Sequence, residues 1–236
     1  MVLLIGNYPA DQQQSMQRFA AMLLRGLSAA GVPAELILPQ PFLGRIQFAG
    51  GFVAKWLGYL DKFLFFPRQL KRKIPAGFDL VHICDHSNAM YSACAGDIPV
   101  VVTCHDLLAV RGALGETTDC PASLTGRYLQ RWIVAGLRKA SAVVCPSPAT
   151  LRDAQRIVGQ RNGRPQLLFI PLGLNYPYRK LSPAEAGARL KRGGLDPTVP
   201  FVLHVGSNLR RKNREGTLRI LARCKEQWQG RIFFAG

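Results

Sequence analysis

Apolar residues fall into short unbroken runs, separated by longer stretches in which they recur every three or four positions. Val2-Leu3-Leu4-Ile5 is a run of the first kind, whereas Met16, Phe19, Ala20, Leu23, Leu24 and Leu27 are spaced for one face of a helix over 15–30. Gly31 ends that helix, and Ala34 to Leu38 reads as the next strand before Pro39 and Pro41 interrupt it. Strand, helix and strand in that order form a βαβ unit and predict a parallel sheet. Near-continuous apolar runs recur at 80–84, 100–104, 142–145 and 167–170, as expected of strands covered on both faces. Between them, Leu129, Trp132, Ile133 and Leu137 mark one face of a helix over 124–140, and Ser147-Pro148 opens another over 149–158. Residues 1–175 therefore read as one α/β domain with a doubly wound parallel sheet.

The Pro-, Gly- and charge-rich stretch 176–200 reads as a linker. A second strand–helix–strand pattern then begins at Phe201-Val202-Leu203-His204-Val205-Gly206, passes through a basic loop and a helix near 215–228, and reaches Ile232-Phe233-Phe234-Ala235-Gly236. Two strands and one helix are too few for an independent core, so the expectation is that 201–236 starts a larger second domain and that the chain is a truncated piece.

Composition narrows the class. The 236 residues are 48% hydrophobic, which excludes disorder, and 31 Lys+Arg against 14 Asp+Glu give a net charge of +17. The excess is uneven: residues 81–120 carry Asp85, Asp97, Asp106, Glu116 and Asp119 against a single Arg111, an acidic island in a basic chain. Such a balance favours anionic partners without choosing among phosphates, nucleic acid and anionic lipid. No apolar run reaches the roughly 20 residues of a membrane span, and the N-terminus lacks the basic region of a secretory signal, which makes the cytoplasm the expected compartment. The segment 55–73 interleaves Trp56, Tyr59, Phe63 and Phe66 with Lys55, Lys62, Arg68, Lys71, Arg72 and Lys73. It suits either a helix packed on the sheet with a solvated basic tail or an amphipathic helix lying on an anionic membrane at its inner face. Six cysteines without a CxxC pair read as core thiols.

Three places carry candidate chemistry. Gly206-Ser207-Asn208-Leu209-Arg210-Arg211-Lys212-Asn213 joins a strand to a helix, where backbone N–H groups favour an anion and three consecutive cations suit a diphosphate; a solvated basic helix start is the plain alternative. Thr103-Cys104-His105-Asp106-Leu107 closes a strand, so His105 and Asp106 reach the carboxyl-end rim either to bond a ligand or to brace the loop. Asp79, His82, Asp85 and His86 resemble metal-ligand spacing, but alternation along a strand sends them to opposite faces, and no metal site is expected. The first loop, 6–15, has no GxGxxG, and neither a Walker A pattern nor a GxSxG elbow is present.

Taken in order, Val101 to Leu107, Ser141-Ala142-Val143-Val144-Cys145-Pro146-Ser147, Phe169-Ile170-Pro171-Leu172-Gly173-Leu174 and His204-Val205-Gly206 through Arg211-Lys212-Asn213 resemble group 1 glycosyltransferases, the family 4 enzymes of GT-B fold. The resemblance covers essentially the whole chain. It implies two Rossmann-like domains, the second incomplete here, and transfer of a sugar, with retention, from a nucleotide-sugar donor held in a cleft between them, with no obligatory metal or other cofactor. It makes Lys212 and Arg211 the groups on the donor diphosphate and His105 the group near the transferred sugar. Gly206, Ser207, Asn208 and Asn213 complete the donor loop. Asn7, His86 and Asp106 fall to the acceptor side, where a saccharide or lipid-linked acceptor is expected and nucleic acid is not. Two departures stand out. The family's glycine-rich first loop is Asp11-Gln12-Gln13-Gln14-Ser15 here, and its paired glutamates, eight apart, would lie beyond residue 236, so this chain alone is expected to be inactive.

Overall fold

A computed structural model describes residues 1–43, 51–74, 77–174, 176 and 178–236, and within the helix that starts at Gly51 it describes side chains from Trp56 onward. The side chain of Lys55 and residue 177 of the 176–200 stretch thus lie outside what is described. The chain divides into two compact units, Met1–Asn175 and Tyr176–Gly236.

The first unit is built on six parallel strands: β1 Val2–Ile5, β2 Ala34–Ile37, β3 Leu80–Ile83, β4 Val100–Thr103, β5 Ala142–Cys145 and β6 Gln166–Phe169. Their order across the sheet is β2-β1-β3-β4-β5-β6, with Val2 opposite Ala34 on one side and Leu80 on the other. The order reverses at β1, so the loops after β1 and β3 diverge and leave a crevice at the carboxyl edge. The helices are α1 Gln14–Ala29, α2 Gly51–Leu60, α3 Phe66–Lys73, α4 Leu108–Ala113, α5 Leu124–Lys139 and α6 Pro148–Ile157.

Alternation along the strands supplies both layers. Leu4 and Cys84 pack with Phe19 and Ala20 of α1 on one face. On the other, Leu3, Ile5, Val81 and Ile83 share a core with Phe66 and Leu70 of α3 and Ile133 and Leu137 of α5. The doubly wound sheet expected from the apolar runs is present, and the six strands with α1, α5 and α6 lie within a residue or two of their expected ends, whereas α4 was not foreseen. The six cysteines are free, and Cys84, Cys104 and Cys145 are buried as core thiols.

The 55–73 segment is two helices joined by a wider π-type turn, Asp61–Phe65. Phe66 and Leu70 are buried against the sheet while Arg68, Lys71 and Arg72 stay in water, so α3 is the packed helix with a basic outer face. Buried Asp61 anchors it, accepting hydrogen bonds from the Tyr8 hydroxyl at 2.9 Å and the Leu43 N–H at 3.1 Å.

The second unit holds α7 Pro183–Arg192, β7 Phe201–Val205, α8 Arg214–Arg223 and β8 Arg231–Ala235, with β7 and β8 paired in parallel. Two expectations need correction. The supposed linker 176–200 contains α7, held by a reciprocal cap in which Ser182 accepts from the Glu185 N–H and Glu185 accepts from the Ser182 N–H. The helix expected over 215–228 stops at Arg223, and residues 224–227 form turns.

Candidate functional site

The carboxyl edge of the first sheet gathers the polar residues of the acidic island. Asn7 follows β1, Asp85 and His86 follow β3, and His105 and Asp106 follow β4. Asn7 is buried and fully engaged: its amide donates to Gln13 Oε1 at 2.5 Å and Asp85 Oδ2 at 2.6 Å, and its carbonyl accepts from Asn88 Nδ2 at 3.1 Å. The polar first loop is accommodated here, since Gln13 ties to Asn7 and Asp11 pairs with Lys62 at 3.0 Å. Asp85 also accepts from the Ser87 N–H and hydroxyl, which starts the buried 3-10 segment His86–Cys94.

His86 Nδ1 lies 3.0 Å from Asp85 Oδ1. Burial pushes the Asp85 carboxyl up, but the nearby His86 charge, with the hydrogen bonds from Asn7 and Ser87, outweighs it and holds the group well below the usual carboxylate range. Burial lowers His86, and the Asp85 carboxylate 3.0 Å away, aided by the charge of Asp106, more than reverses that. The two form a buried ion pair at the floor of the crevice.

His105 is fixed differently. Its ring meets Phe19 edge-on at 4.8 Å, its Nε2 stands 3.0 Å from the Cys84 carbonyl, and its own carbonyl accepts from the Thr150 hydroxyl. A carbonyl only accepts, so Nε2 carries the proton, and desolvation lowers the ring's pKa despite nearby Asp85. The neutral ring therefore presents Nδ1 as a lone-pair acceptor. Asp106 Oδ1 accepts from the Leu108 N–H at 3.1 Å and starts α4. Behind the rim, His82 bonds Thr103 Oγ1 at 2.9 Å and is pushed down to about 4 by burial and by the nearby His105.

The second unit presents the loop after β7. Gly206 adopts φ +152°, a conformation that L side chains rarely take, and the aliphatic stem of Lys212 packs beside it, 3.4 Å from a would-be Cβ. Arg210–Lys212 make one 3-10 turn, and Asn213 at φ +49° caps α8, its Oδ1 accepting from the Gly216 N–H at 3.1 Å. Ser207, Asn208, Arg211 and Lys212 are exposed. Arg214, which the sequence reading passed over, braces the loop by donating to the carbonyls of Gly206 and Gly236, with its guanidinium 5.2 Å from the Phe234 ring centre.

The residues singled out in the sequence thus form two groups: Asn7, His86, His105 and Asp106 on one sheet edge, and Gly206, Ser207, Asn208, Arg211, Lys212 and Asn213 on one loop of the second unit. Asp85, singled out in the sequence only for its metal-like spacing, holds the first group in place together with Gln13 and Asn88. Of the four positions with metal-like spacing, Asp79 pairs with the N-terminal amine, and among the described residues no three His, Cys, Asp or Glu stand close enough to hold an ion.

A family model described as Glycosyltransferase Family 4 matches residues 16–171. No curated protein matches the sequence. Among solved structures, a UGT transferase from Siraitia grosvenorii in complex with UDP aligns with a TM-score of 0.53 at 8% identity, covering 87% of this chain and 58% of that one. Phytolacca americana UGT2, complexed with UDP-2-fluoro-glucose and pterostilbene, aligns at 0.54 and 10%, covering 88% and 59%. A UDP-glucose:anthocyanidin 3-O-glucosyltransferase in complex with UDP aligns at 0.51 and 11%, covering 88% and 60%. The likeness is one of fold, that of GT-B glycosyltransferases, and the chain spans about three-fifths of the length of these structures.

Proposed function

The chain belongs to glycosyltransferase family 4, and from that premise we propose that it serves the transfer of a sugar, with retention, from a nucleotide-sugar donor to a hydroxyl-bearing saccharide or lipid-linked acceptor. The observation that carries the reading is the convergence of Asn7, Asp85, His86 and His105 at the switch point of the first sheet, where open α/β sheets hold ligands. His105 Nδ1 accepts a hydroxyl of the transferred sugar. Asp106 and the fixed Asp85–His86 pair set the polarity of the crevice, and Asn7 positions Asp85 for that role.

In this reading the loop after β7 takes the diphosphate. Lys212 and Arg211 meet the negative charge that grows on the leaving group as the glycosidic bond breaks, and the backbone at Gly206 to Asn208, beside the start of α8, accommodates the phosphates. Solved neighbours of the same fold hold UDP, which supports a uridine nucleotide as the donor's carrier. The diphosphate is met by protein cations, so no obligatory metal is assigned. Association with the inner face of a membrane belongs to the same reading, supported by the exposed basic face of α3. The chain alone binds donor weakly and turns over little, because its cations for the diphosphate are exposed on one loop.

Titration of the chain with UDP, followed by ³¹P NMR, tests the donor assignment. Binding in roughly the millimolar range, weakened about tenfold by Arg211→Gln with Lys212→Gln, is expected. Binding that ignores the double substitution would sink the assignment of this loop, and micromolar binding would sink the statement that the chain alone binds weakly.

A further inference from the structure

Helix α5, Leu124–Lys139, contains no carboxylate. Arg127, Arg131, Val134 and Arg138 lie at i, i+4, i+7 and i+11, one face of the helix. That face, with Val110, Ala113 and Leu114 at α4 and Arg156 and Ile157 of α6, lines a cavity of about 530 Å³. None of these residues belongs to the crevice or to the loop after β7.

The charges of this cavity are unevenly answered. Glu116 and Asp153 are both taken up by Arg111 and Arg156 in a closed ring of four bonds, at 2.6 to 3.3 Å. Arg138 spends Nε and Nη2 on the carbonyls of Val158 and Ile157, while Arg131 lies 5.8 Å from the Tyr128 ring centre. Among the described residues no carboxylate pairs with Arg127, Arg131 or Arg138. Like charges one turn apart weaken a helix, so Arg127 and Arg131, unlike Arg138 with its bonds to the end of α6, bring no carboxylate pairing to the fold in return. Gln130, on the cavity wall, adds a buried Oε1 with no hydrogen-bond partner in the protein. The floor between the cations is apolar: Val110, Ala113, Val134 and Ile157.

Guanidinium forks match phosphate oxygens in pairs, and an apolar floor suits the body that carries the phosphate. We infer that the groove between α4, α5 and α6 is a binding site for a ligand bearing a phosphate or diphosphate group on an apolar body. Arg127 and Arg131 grip the charged end, and Gln130 Oε1 accepts from a hydroxyl or other donor beside it. A membrane lipid and a soluble phosphorylated compound share this chemistry.

The test uses the full chain carrying Arg211→Gln and Lys212→Gln, so that the loop after β7 does not contribute. Two probes separate the sources: inorganic pyrophosphate, titrated calorimetrically at physiological ionic strength, and phosphatidylcholine vesicles with and without phosphatidic acid, followed by flotation. Adding Arg127→Gln with Arg131→Gln should weaken binding about tenfold or more, and Gln130→Glu, which puts a carboxylate on the wall, should do likewise. The charge-matched control, Arg18→Gln with Arg25→Gln on the exposed face of α1, should bind as before. Response to pyrophosphate alone assigns a soluble ligand, and response to the acidic vesicles assigns a lipid. Equal losses in the groove variant and the control, no loss in the groove variant, or no binding of either probe would overturn the site.

Discussion

The buried pair Asp85–His86, at the carboxyl edge of the first sheet, bears directly on stability. The folded pKa of His86 is raised, so its contribution is full below the ordinary histidine value and fades as pH rises through the folded value; that of Asp85 is depressed, so its contribution is lost only in acid. Asp85→Asn removes the counter-charge and leaves His86 buried, where protonation becomes costly. The expected outcome is a loss of about 3–5 kcal/mol at pH 5.5 and a clearly smaller loss at pH 8.5, read from urea unfolding at the two values. Equal losses at both would mean that His86 is neutral in the folded protein. His82 works in the opposite sense: held down to about 4, it makes the wild-type fold less stable as pH falls from the ordinary histidine value toward 4. Little of this was legible beforehand. A His-Asp pair at a strand end reads equally as a ligand group or a brace, and the bonds in the structure are bracing ones, from His105 to the Cys84 carbonyl and from the Leu108 N–H to Asp106. Asn7, named for its place after the first strand, turns out to position Asp85 with every amide hydrogen already committed.

At the scale of elements, the strands were the most readable feature, since a strand covered on both faces must be apolar almost throughout and no other short element needs that pattern. What escaped reading were elements whose partners lie far off in sequence. The buried 3-10 segment His86–Cys94 exists because α5 lies directly on it, and the contact depends on Gly136: a Cβ there would stand 2.1 Å from the Ala89 carbonyl oxygen and 2.7 Å from the Met90 nitrogen. Backbone on both sides cannot yield as a side chain would. Gly136→Ala is therefore expected to cost about 3 kcal/mol or more, because α5 must lift from the floor of the crevice. Gly26, in α1, has open space where its Cβ would stand, and Gly26→Ala should stabilise by about 0.5–1 kcal/mol through helix propensity alone. Thermal melts of the two variants check both signs; a Gly136→Ala protein as stable as the parent would show that the close approach is dispensable. Both glycines sit inside apolar helical patterns, and nothing local distinguishes them. The capping box at Ser182 and Glu185 was, by contrast, a local signal available within a stretch read as linker.

Across the whole molecule the core is unevenly distributed. Among the described residues every buried hydrophobic side chain falls between Leu3 and Val158, inside the first unit. In the second, β7 alternates between His204, half-buried and 3.3 Å from Thr217 of α8, and Leu203 and Val205, which remain 54% and 71% exposed. One face of that two-stranded sheet is thus covered and the other open to water, so each backbone hydrogen bond between β7 and β8 is protected by far less apolar burial than those of β1, β3 and β4. Local opening free energies follow such burial. Hydrogen–deuterium exchange should therefore find the amides of 202–205 and 232–235 exchanging faster than those of 3–5, 81–83 and 101–103 by about a hundredfold or more. The difference should narrow only if a ligand that engages the loop after β7 is added, since such a ligand stabilises the folded form of that unit by mass action. Equal protection in both sheets would mean that the open face of β7 is covered in solution, and Leu203 and Val205 would then mark the covering contact.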